Sequence, residues 1–473
     1  MSKSLVYITV LALYFIVLLL IGYITKKKTK TSNDFHIGGR KIGAVVSSLS
    51  FVSAYFSSVV IIGGGGFGYK YGMATIWIGV INVLLGCMLA WMILGKRTRK
   101  MTAKLKAITI PDFLYKRYDL PFAKIFTSIV IALFMVIYNV SILKGLGNTF
   151  EVILNIPYIW GVIISGIMVL IYVSMGGYIA VVWTGFLQAI IMGAGLFILL
   201  FATLNKVGGL TAGVNSLKLI NQNFVDTPGV WGFNGLISYI LIVSLGVWGM
   251  PQMLARFYSI KNVKAIRIGT VIATIGGSMA IIPYLVGALT RTIYPALTNP
   301  DLAIPTLVNS IMSPFAVSIF FIGVIAAGMS TFSAVLIISS SAIIRDLFKE
   351  SFLFKMTEKK EMNWSIIANS IVGIVSILIA IKPPGLVLTL TAFSWAIIAS
   401  TCLIPFLIGL YWKGATKTGV VFSMVGGFCT ALVWMILKQP YKIHGFIPGV
   451  LASLILMVVV SLITRNNKEL IVK

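Results

Sequence analysis

The chain is poor in charge and in the residue types that build most catalytic and metal centres. Only 10% of its 473 residues are charged, and it has three cysteines and two histidines. Cys87, Cys402 and Cys429 lie in apolar stretches without metal-like spacing, which argues against a disulfide framework or a zinc site. The apolar stretches show no nucleophile with its base, so we expect no enzyme.

Acidic residues are also scarce, and their positions bear on how a membrane protein could be driven. All eleven lie in loops or near the ends of apolar segments: Asp34, Asp112, Asp119, Glu151, Asp226, Asp301, Asp346, Glu350, Glu358, Glu361 and Glu469. Both histidines, His36 and His444, also lie in loops. A proton-driven carrier usually buries a carboxylate or histidine in the membrane. Proton coupling through such a group is therefore not indicated.

Apolar residues dominate what remains. They make up 59% of the chain, and the mean hydropathy is +1.02, which is typical of an all-α polytopic membrane protein. Runs of about 20 apolar residues predict thirteen spans, numbered in chain order: 5–25, 43–68, 73–95, 122–150, 158–182, 184–204, 233–252, 268–290, 307–345, 363–381, 385–411, 418–437 and 445–464. The first lacks a cleavage site of small residues and is interpreted as a retained span, not a signal peptide.

The basic residues predict the orientation. The net charge is +27, but the Lys and Arg residues occur in short bursts between apolar runs, which excludes a nucleic-acid-binding face. One set of loops holds 29 of the 38: those within 26–41, 96–106, 116–124, 256–267, 345–360, 413–417 and 465–473. Cytoplasmic loops carry such an excess. We expect the N-terminus outside, the C-terminus in the cytoplasm, and a multi-pass protein of the inner membrane.

Spans two to six and seven to eleven form two groups of five, so that the second group inserts upside down. Each group opens on a glycine-interrupted segment, 50–68 in the first and 244–251 in the second. Because glycine disfavours helix, we expect Gly63–Gly66 to interrupt span two. Paired broken helices indicate a secondary-transporter site at mid-membrane. Alternatively, the glycines only allow helices to pack closely.

Span nine is the richest source of neutral oxygens. Ser330 follows Ala327 by three residues, so its hydroxyl and the Ala327 carbonyl share one helix face. The carbonyls of Ser53 and Phe56 in span two could lie opposite. Neutral oxygens of this kind can hold a small hard cation without a carboxylate. In the alternative interpretation the hydroxyls bond only to their own helix.

Several runs resemble the sodium:solute symporter family, and within it the pantothenate symporters. The runs that match are 61–64, 69–72, 174–178, 249–251 with Arg256, 295–306, 329–331, 340–341 with 346–347, 382–384 and 409–412. They extend over nearly the whole chain. Tyr69-Lys70-Tyr71-Gly72 and the run 295–306 point to the pantothenate carriers, whereas Met329-Ser330-Thr331 is shared by the family.

This resemblance implies a leucine-transporter-type 5+5 inverted-repeat core, with one helix before it and two after it. It also implies a Na+ site made by the carbonyls of Ser53, Phe56 and Ala327 and the hydroxyls of Ser330 and Thr331. The expected units are an extra helix and loop (1–42), the first repeat (43–206), an external loop (207–232), the second repeat (233–412) and two C-terminal helices with a short tail (413–473).

Two departures from the family pattern bear on stoichiometry and branch. Many members have an Asp in a Trp-Thr-Asp run where this chain has Gly185, and some amino-acid carriers have an Asp where it has Tyr55. The loss of both carboxylates argues against a second sodium site and against the proline-carrier branch. It fits one sodium per cycle.

The solute is expected to bind near the two breaks. An anionic headgroup suits exposed backbone amides and half-helix N-termini. The candidate solute-binding residues are Tyr55, Ser57, Gly63, Gly64, Lys144, Trp248 and Gln252. Lys144 lies within an apolar span, where a lysine is often functional. Alternatively, its side chain extends to the outer interface.

The sequence thus predicts sodium-coupled uptake of a small organic anion, with pantothenate first, by a chain that functions as a monomer in the lipid bilayer. Three alternatives remain. The first is a sodium symporter for another monocarboxylate or an amino acid. The second is a membrane sensor that no longer transports, and the third is a channel, which the single hydroxyl cluster disfavours.

Overall fold

The fold is a bundle of long helices, described here from a computed structural model for residues 3–352 and 356–465. Within those ranges the chain is helical and contains no β-strand beyond one isolated bridge between Ile42 and Ile260. Eleven helices are long and apolar enough to cross a membrane, and twelve if a bent pair is one span. The 50-residue helix Tyr158–Val207 is kinked at Gly177 and counts as two crossing segments, which brings the number to thirteen. The all-α polytopic prediction is confirmed. Lys355, Lys468, Glu469 and Lys473 lie outside the described residues.

The helices follow the predicted order. Spans one to six are Lys3–Lys26, Ala44–Tyr55 with Val59–Tyr71, Met73–Lys104, Pro121–Leu154, and the two halves of Tyr158–Val207. Spans seven to thirteen are Gly229–Gly249 with Pro251–Ser259, Val263–Ile293, Pro314–Ser351, Glu358–Ala380, Val387–Tyr411, Lys417–Ile436 and Phe446–Thr464. Shorter helices, Ser32–Ile37, Ile110–Tyr118, Leu210–Ile220 and Ala303–Ile311, lie in the connections.

Two predicted span boundaries are wrong, and the predicted external loop is partly helical. The division between spans five and six lies at Gly177, where φ is +53° and the helix direction changes, and not near residue 183. Glycine adopts such a backbone conformation without the strain that a Cβ brings. Span nine begins at Pro314, because residues 303–311 form a separate helix. The predicted external loop 207–232 contains the helix Leu210–Ile220.

Both groups of five open on a broken helix, as predicted, but the first break is not at the glycines. Ala44–Tyr55 ends at Phe56, and Val59–Tyr71 continues after a bend of 46°. Gly63–Gly66 lie within the second helical piece. In span seven the helix tightens over Gly246–Gly249, and Met250 is extended (φ −83°, ψ 120°) before Pro251–Ser259.

The glycines of span two serve close packing instead. A Cβ on Gly287 of span eight would lie 2.0 Å from the Gly65 carbonyl oxygen, and a Cβ on Gly68 would lie 2.2 Å from that of Tyr284. Backbone cannot move aside as a flexible side chain can. Small residues that let two membrane helices approach this closely are a known packing device. The alternative interpretation of these glycines is therefore correct for this half of span two.

Gly287→Ala should destabilise the protein by about 1–3 kcal/mol, because the added methyl overlaps backbone of span two. Gly43→Ala is the matched control, since a Cβ there would meet nothing within 4 Å. Thermal unfolding of both purified variants checks this. Equal midpoints would show that spans two and eight are not in backbone contact.

Candidate functional site

The break in span two meets the middle of span nine through two hydroxyl groups. Ser330 Oγ donates to the Ser53 carbonyl oxygen at 2.7 Å and lies 2.8 Å from that of Ala327. Thr331 Oγ1 donates to the Ala54 carbonyl oxygen at 2.9 Å and lies 3.3 Å from that of Ala327. All five residues are buried. The contact gathers two hydroxyls and three carbonyls from two helices.

Phe56 ends the helix that supplies these carbonyls. Its amide still bonds to the Val52 carbonyl at 2.9 Å, but its φ of −90° and ψ of 70° turn its own carbonyl out of the helical direction. Four of the five residues predicted for an ion site, Ser53, Ala327, Ser330 and Thr331, thus share one contact, and Phe56 lies at the break beside them. The hydroxyls bond to their own helix and also across to span two, so the alternative interpretation holds only in part.

The contact is made of neutral oxygens. Gly185 of span six packs against it: a Cβ there would lie 2.9 Å from Ser53 Oγ and 2.7 Å from Ser50 Oγ. Ser50 Oγ is buried, and the described residues offer it no hydrogen-bond partner. Hard cations prefer oxygen ligands, and carbonyls at unwound helices commonly hold Na+ in transporters. These oxygens fit such an ion.

A small cavity lies on the other side of the break. Tyr55, Ser57, Val59 and Val60 of span two line it. The remaining lining residues are Tyr138, Ile242, Val243, Tyr284, Leu388, Thr391, Ala392 and Trp395, and none of the twelve is charged. Its volume of about 20 Å³ is little more than one water requires. A solute would enter only if the surrounding helices moved apart.

Tyr55 and Ser57 are the two predicted solute residues that line this cavity. The Tyr55 hydroxyl donates to the Val243 carbonyl at 2.8 Å and also contacts Asn82. Its ring stacks on Trp395 with 6.1 Å between ring centres and 13° between planes. Tyr55 therefore forms part of the cavity wall and contacts spans three, seven and eleven from span two.

Gly63 and Gly64 do not line the cavity but pack against two residues that do. A Cβ on Gly63 would lie 3.0 Å from the Leu388 amide nitrogen, and one on Gly64 would lie 3.3 Å from the Tyr284 ring. Leu388 and Tyr284 line the cavity, whereas the glycines do not. These two positions set how closely the walls approach.

Lys144 lies away from the cavity, in a polar cluster near the end of span four. Its ammonium is 3.5 Å from Asp301 Oδ2 and donates to the Gly385 carbonyl. The Val387 amide, at the start of span eleven, donates to the same carboxylate at 3.1 Å. Burial raises the pKa of Asp301, and the Lys144 charge opposes that shift. The cluster ties three elements together over one end of the bundle.

Trp248 and Gln252 do not line the cavity either. Trp248 Nε1 donates to the Leu85 carbonyl at 2.9 Å and so joins span seven to span three. Gln252 is buried just after the break of span seven, and the described residues offer neither its amide nitrogen nor its amide oxygen a partner.

Most of the residues that line the cavity were not predicted from the sequence. Tyr138, Tyr284, Thr391 and Trp395 come from spans four, eight and eleven, which carry no break at these residues. A signal was present in span eleven, where Leu388, Thr391 and Trp395 recur at helical spacing on one face. Because buried aromatic residues are common in any membrane bundle, that spacing alone does not single out a cavity.

The opposite end of the bundle is closed by buried charges. We name it the basic end, because the runs 26–41 and 96–106 lie there. Lys124 of span four lies 3.6 Å from Asp112 and 3.9 Å from Asp346. Arg345 lies 3.0 Å from Glu361, which is also 3.4 Å from His36. These acidic residues were assigned to loops and segment ends, and the structure buries them.

The chain is similar in sequence to two bacterial solute carriers of known substrate. The chain is 30% identical to the osmoregulated proline transporter OpuE of Bacillus subtilis over 468 residues, covering 96% of this chain and 94% of the other. It is 31% identical to the sodium/pantothenate symporter of Escherichia coli over 459 residues, covering 95% of each.

The fold has a solved counterpart as well. The structure of a Na+-coupled sialic acid symporter, in a substrate-bound outward-open state, superposes with a TM-score of 0.82. The superposition covers 97% of this chain and 98% of the other, at 17% sequence identity. The leucine-transporter-type architecture expected from the sequence is confirmed.

A sequence profile of the sodium:solute symporter family matches residues 35–427, which include both broken helices and the contact between spans two and nine. With relatives at 30% identity or above over nearly the full chain, this match is decisive. The chain belongs to the sodium:solute symporter family, and Na+ is its coupling ion.

Proposed function

We propose that the protein takes up a small organic carboxylate by sodium-coupled symport, with Na+ held by the carbonyls of Ser53, Phe56 and Ala327 and the hydroxyls of Ser330 and Thr331. The observation that carries this proposal is the buried contact of both hydroxyls with span two, at 2.7 and 2.9 Å. The family and the relatives named above are transporters, so we expect transport without an enzymatic step.

Coupling follows from where the ion binds. Span two belongs to the first group of five helices and span nine to the second, so an ion between them links the two groups. Binding of Na+ there favours the outward-facing state, since a ligand stabilises the state that binds it better. The solute then binds beside the break, the groups rock, and both are released inward. The Lys144–Asp301 cluster and the buried charges around Lys124 are the contacts that part in turn.

In the proposed orientation the chain spans the inner membrane, its basic end faces the cytoplasm, and its N-terminus faces the outside. This assignment rests on the excess of Lys and Arg at one end. One chain contains a complete pair of repeats and the whole ion site, which supports function as a monomer.

Accessibility to a membrane-impermeant maleimide checks the orientation, in a Cys429→Ser background because Cys87 and Cys402 are buried. Leu219→Cys, 89% exposed in the wild type, should react in intact cells. Phe352→Cys, at the basic end and 55% exposed, should react only after permeabilisation. The reverse pattern would contradict the orientation.

Pantothenate is the first candidate solute. The runs 69–72 and 295–306 resemble the pantothenate carriers, and a sodium/pantothenate symporter is among the relatives. Tyr69 also contacts the second run, since its hydroxyl accepts from the Leu297 amide at 2.8 Å and donates to the carbonyl of Tyr294, just before that run, at 2.7 Å. The two runs thus form one unit.

Proline is the second candidate. A proline transporter is as similar as the pantothenate symporter, so the missing carboxylates at Tyr55 and Gly185 do not exclude that branch. The cavity lining carries no charge, and its volume is small. The uncharged lining offers no counter-charge that would favour an anion over a zwitterion, and the closed volume favours neither solute because the helices must move apart to admit either. A sensor or a channel has no such specific support.

The Ser330→Ala plus Thr331→Ala variant should bind Na+ roughly 30-fold more weakly, since each lost hydroxyl costs about 1 kcal/mol. Thermal unfolding of the purified protein, titrated with NaCl against KCl, measures this through linkage. Ser339→Ala plus Ser340→Ala is the matched control, because these buried hydroxyls bond to carbonyls of their own helix, Val335 and Ile337. Unchanged sodium stabilisation in the first variant would refute the site.

Uptake of labelled pantothenate and labelled proline into proteoliposomes tests the solute, with an inward sodium gradient and with potassium substituted. We expect sodium-driven accumulation of pantothenate that unlabelled proline does not inhibit. Accumulation of proline alone would favour the second candidate. Uptake of either solute at the same rate without sodium would contradict symport.

A further inference from the structure

A groove at the basic end is not explained by the transport site. It lies between the last turns of span three, within Lys96–Lys104, and the end of span eleven at Leu410. Its volume is about 470 Å³. The lining residues are Lys96, Arg97, Lys100, Met101, Lys104, Leu105 and Leu410. Six of these seven follow helical spacing, so they form one face of span three and its continuation.

The charges in this groove have one sign. Lys96, Lys100 and Lys104 follow each other at intervals of four residues, where like charges repel and destabilise a helix. The structure pairs none of the three with a carboxylate in the part of the chain it describes, whereas Lys116 and Lys124 each have an acidic partner. A ligand with negative charge would remove this repulsion.

Arg97 is fixed in place at the same groove. Its Nη1 donates to the Leu410 carbonyl at 3.2 Å, and its guanidinium carbon lies 4.1 Å from the centre of the Tyr411 ring. Such stacking holds a guanidinium without using all of its donors. Within the described residues its remaining donors have no hydrogen-bond partner and can bind an anion, while these two contacts hold the side chain in place.

We propose that this groove binds the headgroup of an anionic phospholipid. The phosphate lies among Lys96, Lys100 and Arg97, and an acyl chain lies along Met101, Leu105 and Leu410. Basic pockets between membrane helices bind such headgroups. Because span three belongs to the first five-helix group and span eleven to the second, the lipid bridges the two groups.

The test uses the full chain in detergent, with phosphatidylglycerol or phosphatidylcholine added and thermal unfolding as the readout. We expect phosphatidylglycerol to raise the unfolding midpoint and phosphatidylcholine to leave it unchanged. Replacing Lys96, Lys100 and Lys104 by Gln should weaken the apparent phosphatidylglycerol affinity at least about tenfold, because attraction to anionic lipid grows with each cation. Inorganic phosphate alone should not stabilise the wild type.

The matched control replaces Lys26, Lys27 and Lys28 by Gln, which removes the same charge from exposed positions at the same end. It should retain wild-type affinity. Equal loss in both triple variants would overturn the proposal in favour of general surface attraction. Full stabilisation by inorganic phosphate would overturn it in favour of a small-anion site.

A second variant tests the proposal independently, in case the triple Lys→Gln variant does not fold. Met101→Trp keeps every cation and fills the apolar part of the groove. It should lose most of the stabilisation by phosphatidylglycerol. Wild-type stabilisation in this variant would show that no acyl chain lies in the groove.

Discussion

The structure depends on one constraint, that backbone polar groups freed inside a membrane must find partners within the protein. Span two breaks at Phe56, and span seven breaks at Met250. The first break survives because Ser330 and Thr331 of span nine supply hydroxyls to the carbonyls of Ser53 and Ala54. Ser53, Ser330 and Thr331 take part both in this repair and in the proposed Na+ site, so the proposed mechanism makes stability and coupling depend on some of the same atoms.

Charge is distributed around this neutral centre. The residues that line the cavity and the contact with span nine are uncharged, while the ion pairs lie toward the two ends of the bundle, at Asp301 and Lys144 on one side and around Lys124 on the other. Buried ion pairs contribute little net stability but fix particular arrangements, and breaking one is costly. Contacts of this kind suit the two ends of a transporter, which must each be closed in one state and open in another.

How far the sequence predicts this structure depends on the kind of signal. Apolar runs and the basic excess predict the spans, and Ser330 and Thr331 are found because hydroxyls stand out in an apolar helix. Local propensity predicts a break at Gly63–Gly66, whereas the helix breaks at Phe56. The glycines stay helical because span eight packs against them at Gly287, a contact that local propensity does not show. Likewise, the role of Asp301 depends on Lys144, which lies 157 residues away in the sequence. Tertiary contacts of this range leave no local pattern.

Hydrogen–deuterium exchange of the purified protein in Na+ against K+ tests the central claim most directly, because it reports each segment separately. The account predicts that Na+ slows exchange together in residues 53–58 and 327–331, the two sides of one ion site, and leaves Lys417–Ile436 unchanged. Protection confined to one of the two segments, or slowed exchange equally in span twelve, would contradict an ion held between spans two and nine.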